Sequence, residues 1–225
     1  MSNKSKVYLI INFRNSSKTL KKCFESLIKQ NYKNIFFVLF NHSSSDKSPN
    51  ILRSLIKNYN LKNYKFLKAP SNKSLVQCRN LAVQFVLSKA EENDFLAFCD
   101  SDDWWHPNWL NHLIKKNTPS TDIIFCQGYM HLPNKIIKFL SHYDHPRLLY
   151  WHPIGLGTMI IKLKFIRKFS KPKLFDEICE IVYDTEFLVK IYSQVKVKKT
   201  FSRHFNYNRK NVSLSSNVIQ VIKEW

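Results

Sequence analysis

The sequence predicts an α/β domain with a mostly parallel central sheet flanked by helices. Two observations predict it. In the first half, short continuous apolar runs alternate with segments of helical periodicity, the pattern of strands buried on both faces and joined by crossover helices. Across the chain, 44% of the 225 residues are apolar and 14% are aromatic. That is enough for a sizeable core and unlike the composition of a disordered chain. The length fits one fairly large domain or two small ones sharing a core.

Val7–Ile11 reads as a first buried strand, and Leu20, Phe24, Leu27 and Ile28 then recur at helical spacing with lysines on the other face. Ile35–Phe40 is a second strand, and Ser43–Asp46 supplies a turn and helix caps. Ile51, Leu52, Leu55 and Ile56 mark a second helix, Tyr64–Leu67 a third strand, Leu75–Leu87 a third helix and Phe95–Cys99 a fourth strand. A further helix carries Leu110, Leu113 and Ile114, followed by a strand at Ile123–Phe125. Residues 131–154 read as irregular and are rich in His, Pro and aromatics. Met159–Ile161 is a strand, Thr185–Tyr192 a helix and Val195–Phe201 a last strand. No repeat, low-complexity stretch or linker interrupts the chain, so the second half is a more irregular part of the same domain.

Composition excludes several functions. Only three glycines occur, Gly128, Gly155 and Gly157, so there is no Walker A loop and no G-x-G-x-x-G. The net charge of +20 asks for an anionic partner: nucleic acid, an anionic membrane or a phosphorylated small molecule. Five scattered cysteines without a C-x-x-C read as reduced thiols of a cytosolic protein. Val7–Ile11 is too short for a signal-peptide core, and no apolar stretch reaches membrane-span length. A cytoplasmic protein, soluble or held at a membrane by its surface, is expected. The eight histidines lack zinc-ligand spacing.

The sharpest feature follows the fourth strand: Asp100-Ser-Asp-Asp103, then Trp104-Trp-His-Pro107. Open α/β sheets bind ligands beyond the carboxyl ends of their strands. Three carboxylates in four residues repel one another unless a cation or dense hydrogen bonding offsets the repulsion. Mg²⁺ takes one or two carboxylates plus substrate phosphates. A solvated acidic turn capping the helix after Pro107 accounts for the same residues equally well.

Phe98–Pro107 resembles the D-x-D-D signature of family 2 glycosyltransferases with the GT-A fold. Other segments match in order. Val7–Asn15 resembles the opening strand V-S-V-I-I-P-T-Y-N, and Ser26–Gln30 the helix ending S-l-x-x-Q. Ser74–Ala82 resembles the A-R-N-x-G/A helix. Phe175-Asp-Glu177 and Tyr183–Lys190 resemble F-D-E followed by E-D-x-x-L. Tyr207-Asn-Arg209 with Ser213 and Ser215 resembles the Y-R…S-x-S tail.

The resemblance implies a Rossmann-like GT-A domain over residues 1–225, with 1–130 binding a nucleotide sugar and 131–225 forming the acceptor half and a basic tail. It implies metal-dependent, inverting transfer from a nucleoside diphosphate donor, most often a UDP-sugar, to an acceptor hydroxyl in bacterial surface-glycan assembly. Asp102 would be the main ligand of Mn²⁺ or Mg²⁺, with Asp100 and Asp103 contacting ribose, phosphate or metal-bound water. Arg79 would approach the diphosphate; its alternative role is a surface charge. Arg209 would reach the diphosphate from the tail or lie solvated there. Asp184 would be the catalytic base, or the N-cap of a helix starting near Thr185, and Glu186 is a weaker candidate.

Departures from the family pattern bear on the donor. Asn41 and His42 stand where acids are usual, and Asn12-Phe13-Arg14 replaces P-T-Y. The base-stacking Tyr is thus lost, leaving Phe13 or Arg14 to stack. Tyr183 replaces the Glu of E-D. These changes point to an altered donor or, alternatively, to an inactive glycosyltransferase-like interaction protein. A nucleic-acid module is the rival that the charge allows, but no nucleic-acid-binding motif occurs and the acidic turn would repel phosphate. From Phe187 onward eight basic residues face one acid, Glu224. That tail suits an anionic bilayer, at the inner leaflet beside a lipid-linked acceptor, or is a Lys-rich solvated surface. Phe139–Trp151 falls where the family binds acceptor or carries a mobile loop, and core packing accounts for its aromatics equally well.

Overall fold

A computed structural model describes residues 5–139, 155–169, 173–180 and 182–208. Arg209 and the stretch 140–154 lie outside the described residues.

The first half alternates β1 (Val7–Phe13), α1 (Leu20–Ile28), β2 (Ile35–Asn41), α2 (Ser48–Asn58), β3 (Tyr64–Lys68), α3 (Leu75–Leu87) and β4 (Phe95–Asp100). These four strands are parallel in the order β3-β2-β1-β4. The chain then adds β5 (Trp104–Trp105), α4 (Trp109–Lys115), the hairpin β6 (Ile123–Leu132) and β7 (Lys135–Phe139), β8 (Met159–Lys162), α5 (Leu163–Phe169), α6 (Tyr183–Ile191) and β9 (Val197–Asn208). The sheet continues β4-β8-β6-β9-β5, with β8 antiparallel to β4 and β6, and β9 parallel to β6.

All seven residues of β1 are buried, which explains its unbroken apolar run. Alternation sends Val7, Leu9, Ile11 and Phe13 into one core, under α1, α2 and α4. Tyr8 and Ile10 enter the other, under α3, α5 and α6.

Three departures from the sequence reading have physical causes. The segment read as irregular from residue 131 completes β6 and contains β7. Residues 133–138 are exposed, so this hairpin carries no alternating apolar signal. Strand β9 runs on to Asn208 because its ladder with β6 is made by backbone groups, while only Thr200 and Phe205 along it are buried. Helix α6 starts at Tyr183 with Val182 at its N-cap, so Asp184 lies in the first turn and is not the cap.

With so few glycines, the left-handed backbone positions fall to other residues: Asn15 (φ 48°), Ser43 (φ 49°) and Asn60 (φ 47°). Asn tolerates this region, whereas Ser pays about 1–2 kcal/mol for it. Ser43 is held by its hydroxyl, which donates to the Ala69 carbonyl at 2.9 Å. Asn15 and Ser43 directly follow β1 and β2, at the carboxyl edge of the sheet.

Candidate active site

The crossovers diverge on either side of β1, so the crevice lies at the carboxyl ends of β1 and β4. Register sets Asn12 beside Asp100 of β4 and Phe40 of β2, and Phe13 beside Asn41. Asn12 is only 6% exposed, and both polar atoms of its side chain are buried without a hydrogen-bond partner. An orphaned buried amide costs about 1–3 kcal/mol, so Asn12 marks a place built to meet a polar ligand or water.

Its neighbours divide by exposure. Phe13 is 1% exposed and meets Phe66 edge-on at 6.0 Å. Its ring belongs to the core and cannot stack on a base; of the pair only Arg14 is exposed. Asn41 accepts from the Ser44 amide at 2.9 Å, so the acceptor half of its side chain is engaged in the β2–α2 turn. His42 Nε2 lies 2.6 Å from the Lys73 carbonyl and ties that turn to the start of α3. Asp46 joins the two rim loops, accepting from the Ser17 and Ser48 amides at 3.0 and 2.9 Å.

Desolvation pushes the Asp46 carboxyl up, but hydrogen bonds from Ser48 and Ser17 outweigh it and lower its pKa from 3.8 to about 2. Its contribution to stability is therefore complete above about pH 4 and is lost as pH falls through about 2. Urea midpoints of wild type and Asp46→Asn should differ by the equivalent of about 1 kcal/mol at pH 6, after allowance for solvent screening. The gap should close toward pH 2; a constant gap would refute the assignment.

Arg79 is 3% exposed, which rules out the surface-charge role. One terminal nitrogen donates to Asp100 Oδ1 and the other to the Tyr183 hydroxyl. Its guanidinium lies 4.9 Å from the Tyr183 ring centroid and 5.9 Å from that of Phe98. Arg79 is thus engaged within the protein and acts on the site through its partners. Tyr183, standing where the family carries Glu, still receives a guanidinium N–H. Asp184 follows it, partly exposed, with Oδ1 accepting from the Thr185 amide at 2.9 Å. Hydrogen bonds therefore run from Asp100 through Arg79 to Tyr183, the residue next to Asp184 at the start of α6. The next acid, Glu186, is half-buried, and burial raises its pKa. Beside this chain, Asn80 grips the F-D-E segment, donating to the Phe175 carbonyl at 2.9 Å and accepting from the Phe175 amide at 3.0 Å.

The acidic turn is split by the fold. Asp103 is 2% exposed and accepts from the Asn208 amide at 2.9 Å. It fastens the end of β9 and leaves the candidate metal set. Asp100, with its side chain 51% exposed, and the partly exposed Asp102 stay on the open side. Among the described residues no three His, Cys, Asp or Glu side chains converge on a metal position. Two carboxylates do fit a Mg²⁺ or Mn²⁺ ion that takes its other ligands from phosphate and water.

Sequence reasoning missed the groups that hold this turn. Ser101 and Ser16 share a hydrogen bond at 2.7 Å, and the Trp105 amide donates to Ser26 Oγ at 3.1 Å. Behind the turn, His204 stacks on His106 at 4.8 Å and meets His112 edge-on at 5.2 Å. Burial, then the neighbouring imidazoles, lower the His204 pKa, as suits a packed neutral ring. Serines and histidines spread over nearly two hundred residues carry no linear signal of these contacts.

The fold is that of an α/β domain with an acidic turn at the carboxyl edge of its sheet, and similarity to known proteins gives its family. The Glycosyl transferase family 2 model matches residues 8–175, and the chain belongs to that family. The putative glycosyltransferase EpsH of Bacillus subtilis is 30% identical over 120 residues, covering 53% of this chain and 33% of the relative. The chain thus spans about a third of that protein's length. S. aureus TarS 1-349 in complex with UDP-GlcNAc superposes with a TM-score of 0.72 at 19% identity, over 94% of this chain and 61% of that one. The mannosyltransferase PcManGT of Pyrobaculum calidifontis, in complex with GDP-Man and Mn²⁺, gives 0.70 at 11% identity, over 99% and 62%. At these identities the likeness is one of fold.

Proposed function

We propose that this glycosyltransferase moves a sugar, with inversion, from a UDP-type nucleotide donor to a hydroxyl of a surface glycan or lipid-linked acceptor. The observation that carries the reading is the hydrogen-bonded series Asp100–Arg79–Tyr183, which ties the end of β4 to the first turn of α6, where Asp184 lies. Residues 1–130 form the donor half and 131–225 the acceptor half. Asn12 and Asn41 contact the nucleotide, and Arg14 flanks its base.

Asp102 and Asp100 would hold Mn²⁺ or Mg²⁺, which when bound to the donor diphosphate neutralises charge on the leaving group. The Mn²⁺ in the mannosyltransferase complex and the UDP-GlcNAc in the TarS complex support these two choices. Arg79 fixes Asp100 by a charge-assisted hydrogen bond. Asp184 accepts the proton of the attacking hydroxyl as that oxygen bonds to the anomeric carbon. Among the described residues no helix is long and apolar enough to cross a membrane. The lysines of β9 support attachment to an anionic inner leaflet.

Thermal shift tests the donor reading. UDP with Mn²⁺ should raise Tm by several degrees, in line with mass-action stabilisation of about 2.7 kcal/mol at a hundredfold excess over Kd. EDTA or Asp102→Ala should remove the rise. No response to UDP, GDP or their sugars with either metal would overturn the reading.

A further inference from the structure

Helix α1 and the residues flanking it carry a lysine array to which the proposed donor site gives no role. Lys18, Lys21, Lys22 and Lys29, with Ser26, Trp105 and Pro107, line a cleft of about 500 Å³. Glu25 is the sole acid of the lining, and it is already engaged by the Tyr59 hydroxyl at 3.2 Å. None of the four lysines ion-pairs with a carboxylate among the described residues.

This arrangement is unfavourable by itself. Lys18 lies one turn from both Lys21 and Lys22, a spacing at which like charges repel. Lys21 and Lys22 occupy the first turn of α1, which has no acidic residue, at the positive end of the helix dipole. Lys22 alone is offset, its Nζ lying 3.1 Å from the Trp104 ring centroid in a cation–π contact. Trp105, 2% exposed and lining the same cleft, leaves its indole N–H buried without an acceptor. Three ammonium groups with no carboxylate or ring partner among the described residues, Lys18, Lys21 and Lys29, and a buried N–H donor without an acceptor call for an anion with several oxygens.

Position says which anion. The cleft adjoins the acidic turn, through the Ser16–Ser101 bond at 2.7 Å and the Trp105–Ser26 bond at 3.1 Å. Helix α1 nevertheless packs on the face of the sheet opposite α3, the helix that carries Arg79. We propose that the cleft binds phosphodiester groups of an anionic acceptor and so leads a hydroxyl of that acceptor to the donor edge. This inference rests on the transferase reading and adds the chemical class of the acceptor. A second lysine-lined cavity, of about 700 Å³, lies at the amino ends of the strands with Lys162, Lys164, Lys168 and Lys196. There Asp122 shares the lining and Lys162 donates to the Thr118 and Pro119 carbonyls. It stands at the pole opposite the acidic turn, which makes it a charge-matched control.

The experiment measures binding of fluorescent poly(glycerol phosphate) to the intact chain at low salt, where such contacts are least screened. It compares wild type with Lys18→Glu/Lys21→Glu and with Lys164→Glu/Lys168→Glu. Each variant removes the same charge from exposed positions. The α1 variant should bind about tenfold or more weakly, and the control within about twofold of wild type. The UDP response should be retained in both, which also confirms that they fold. Equal weakening in both variants would mean undirected charge attraction and overturn the proposal. So would unchanged binding in the α1 variant, no saturable binding by wild type, or a UDP affinity that falls with the α1 lysines. Phosphatidylglycerol vesicles form a separate arm: loss of vesicle capture with polymer binding intact would assign the cleft to a lipid surface instead. Absence of a UDP response in wild type, with polymer binding intact, would sink the donor reading and not the anion site.

Discussion

Asp184→Asn should lower the rate of sugar transfer by about 10²–10⁴-fold, the usual contribution of a positioned general base. The amide keeps the shape of the carboxylate and its oxygen still accepts from the Thr185 amide, so α6 retains its first turn. The UDP-induced rise in Tm should be unchanged, because the proposed role sets Asp184 against the acceptor hydroxyl and not against the nucleotide. Initial rates at saturating donor, read beside the thermal shift, check both halves. A rate within tenfold of wild type would remove Asp184 from the role of base. Glu186, whose carboxyl pKa is raised by burial, would then be the next acid to replace.

Gly128→Ala should be the most destabilising of the small substitutions. A Cβ at Gly128 would sit 2.4 Å from the backbone oxygen of Phe205 and 3.0 Å from its carbonyl carbon. Neither can rotate away, because Phe205 pairs with Gly128 in the β6–β9 ladder and with Trp105 in the β5–β9 ladder. Relief requires those ladders to part, at a cost of about 3 kcal/mol or more. For a chain of this length that lowers Tm by roughly 10 °C. Gly157→Ala meets the Phe205 ring at 2.7 Å, a softer obstacle, and should cost less. Gly155→Ala meets nothing within 4 Å and should be near neutral. Differential scanning calorimetry of the three variants ranks them; an equal loss in all three would refute the argument. Because β9 ends on Asp103, Gly128→Ala should also weaken the UDP response.

Much of the framework was legible before any tertiary contact was known. The continuous apolar runs of β1, β2 and β4 report burial on both faces, and the acidic turn announces itself by its position after such a run. The second half was less legible for the reason visible in β7 and β9. Their residues are mostly exposed or half-buried, and hydrogen bonds between strands leave no imprint on residue type. The short β5 is likewise a product of pairing with β9.

Hydrophobic period and motif order were sufficient to read an α/β glycosyltransferase domain and the acidic edge proposed for its chemistry. Side-chain partners were decided by packing alone. Three aspartates in one turn look equivalent along the chain, yet Asp103 is turned inward by the Asn208 amide while Asp100 and Asp102 stay open. Phe13 and Arg14 are adjacent, yet the pleat buries one and exposes the other. Arg79 could be a surface charge or a buried tie, and only the approach of α6 to α3 selects the tie. Periodicity reports which face of an element is buried; the opposing residue comes from a distant part of the chain, and that pairing exists only once the sheet has closed.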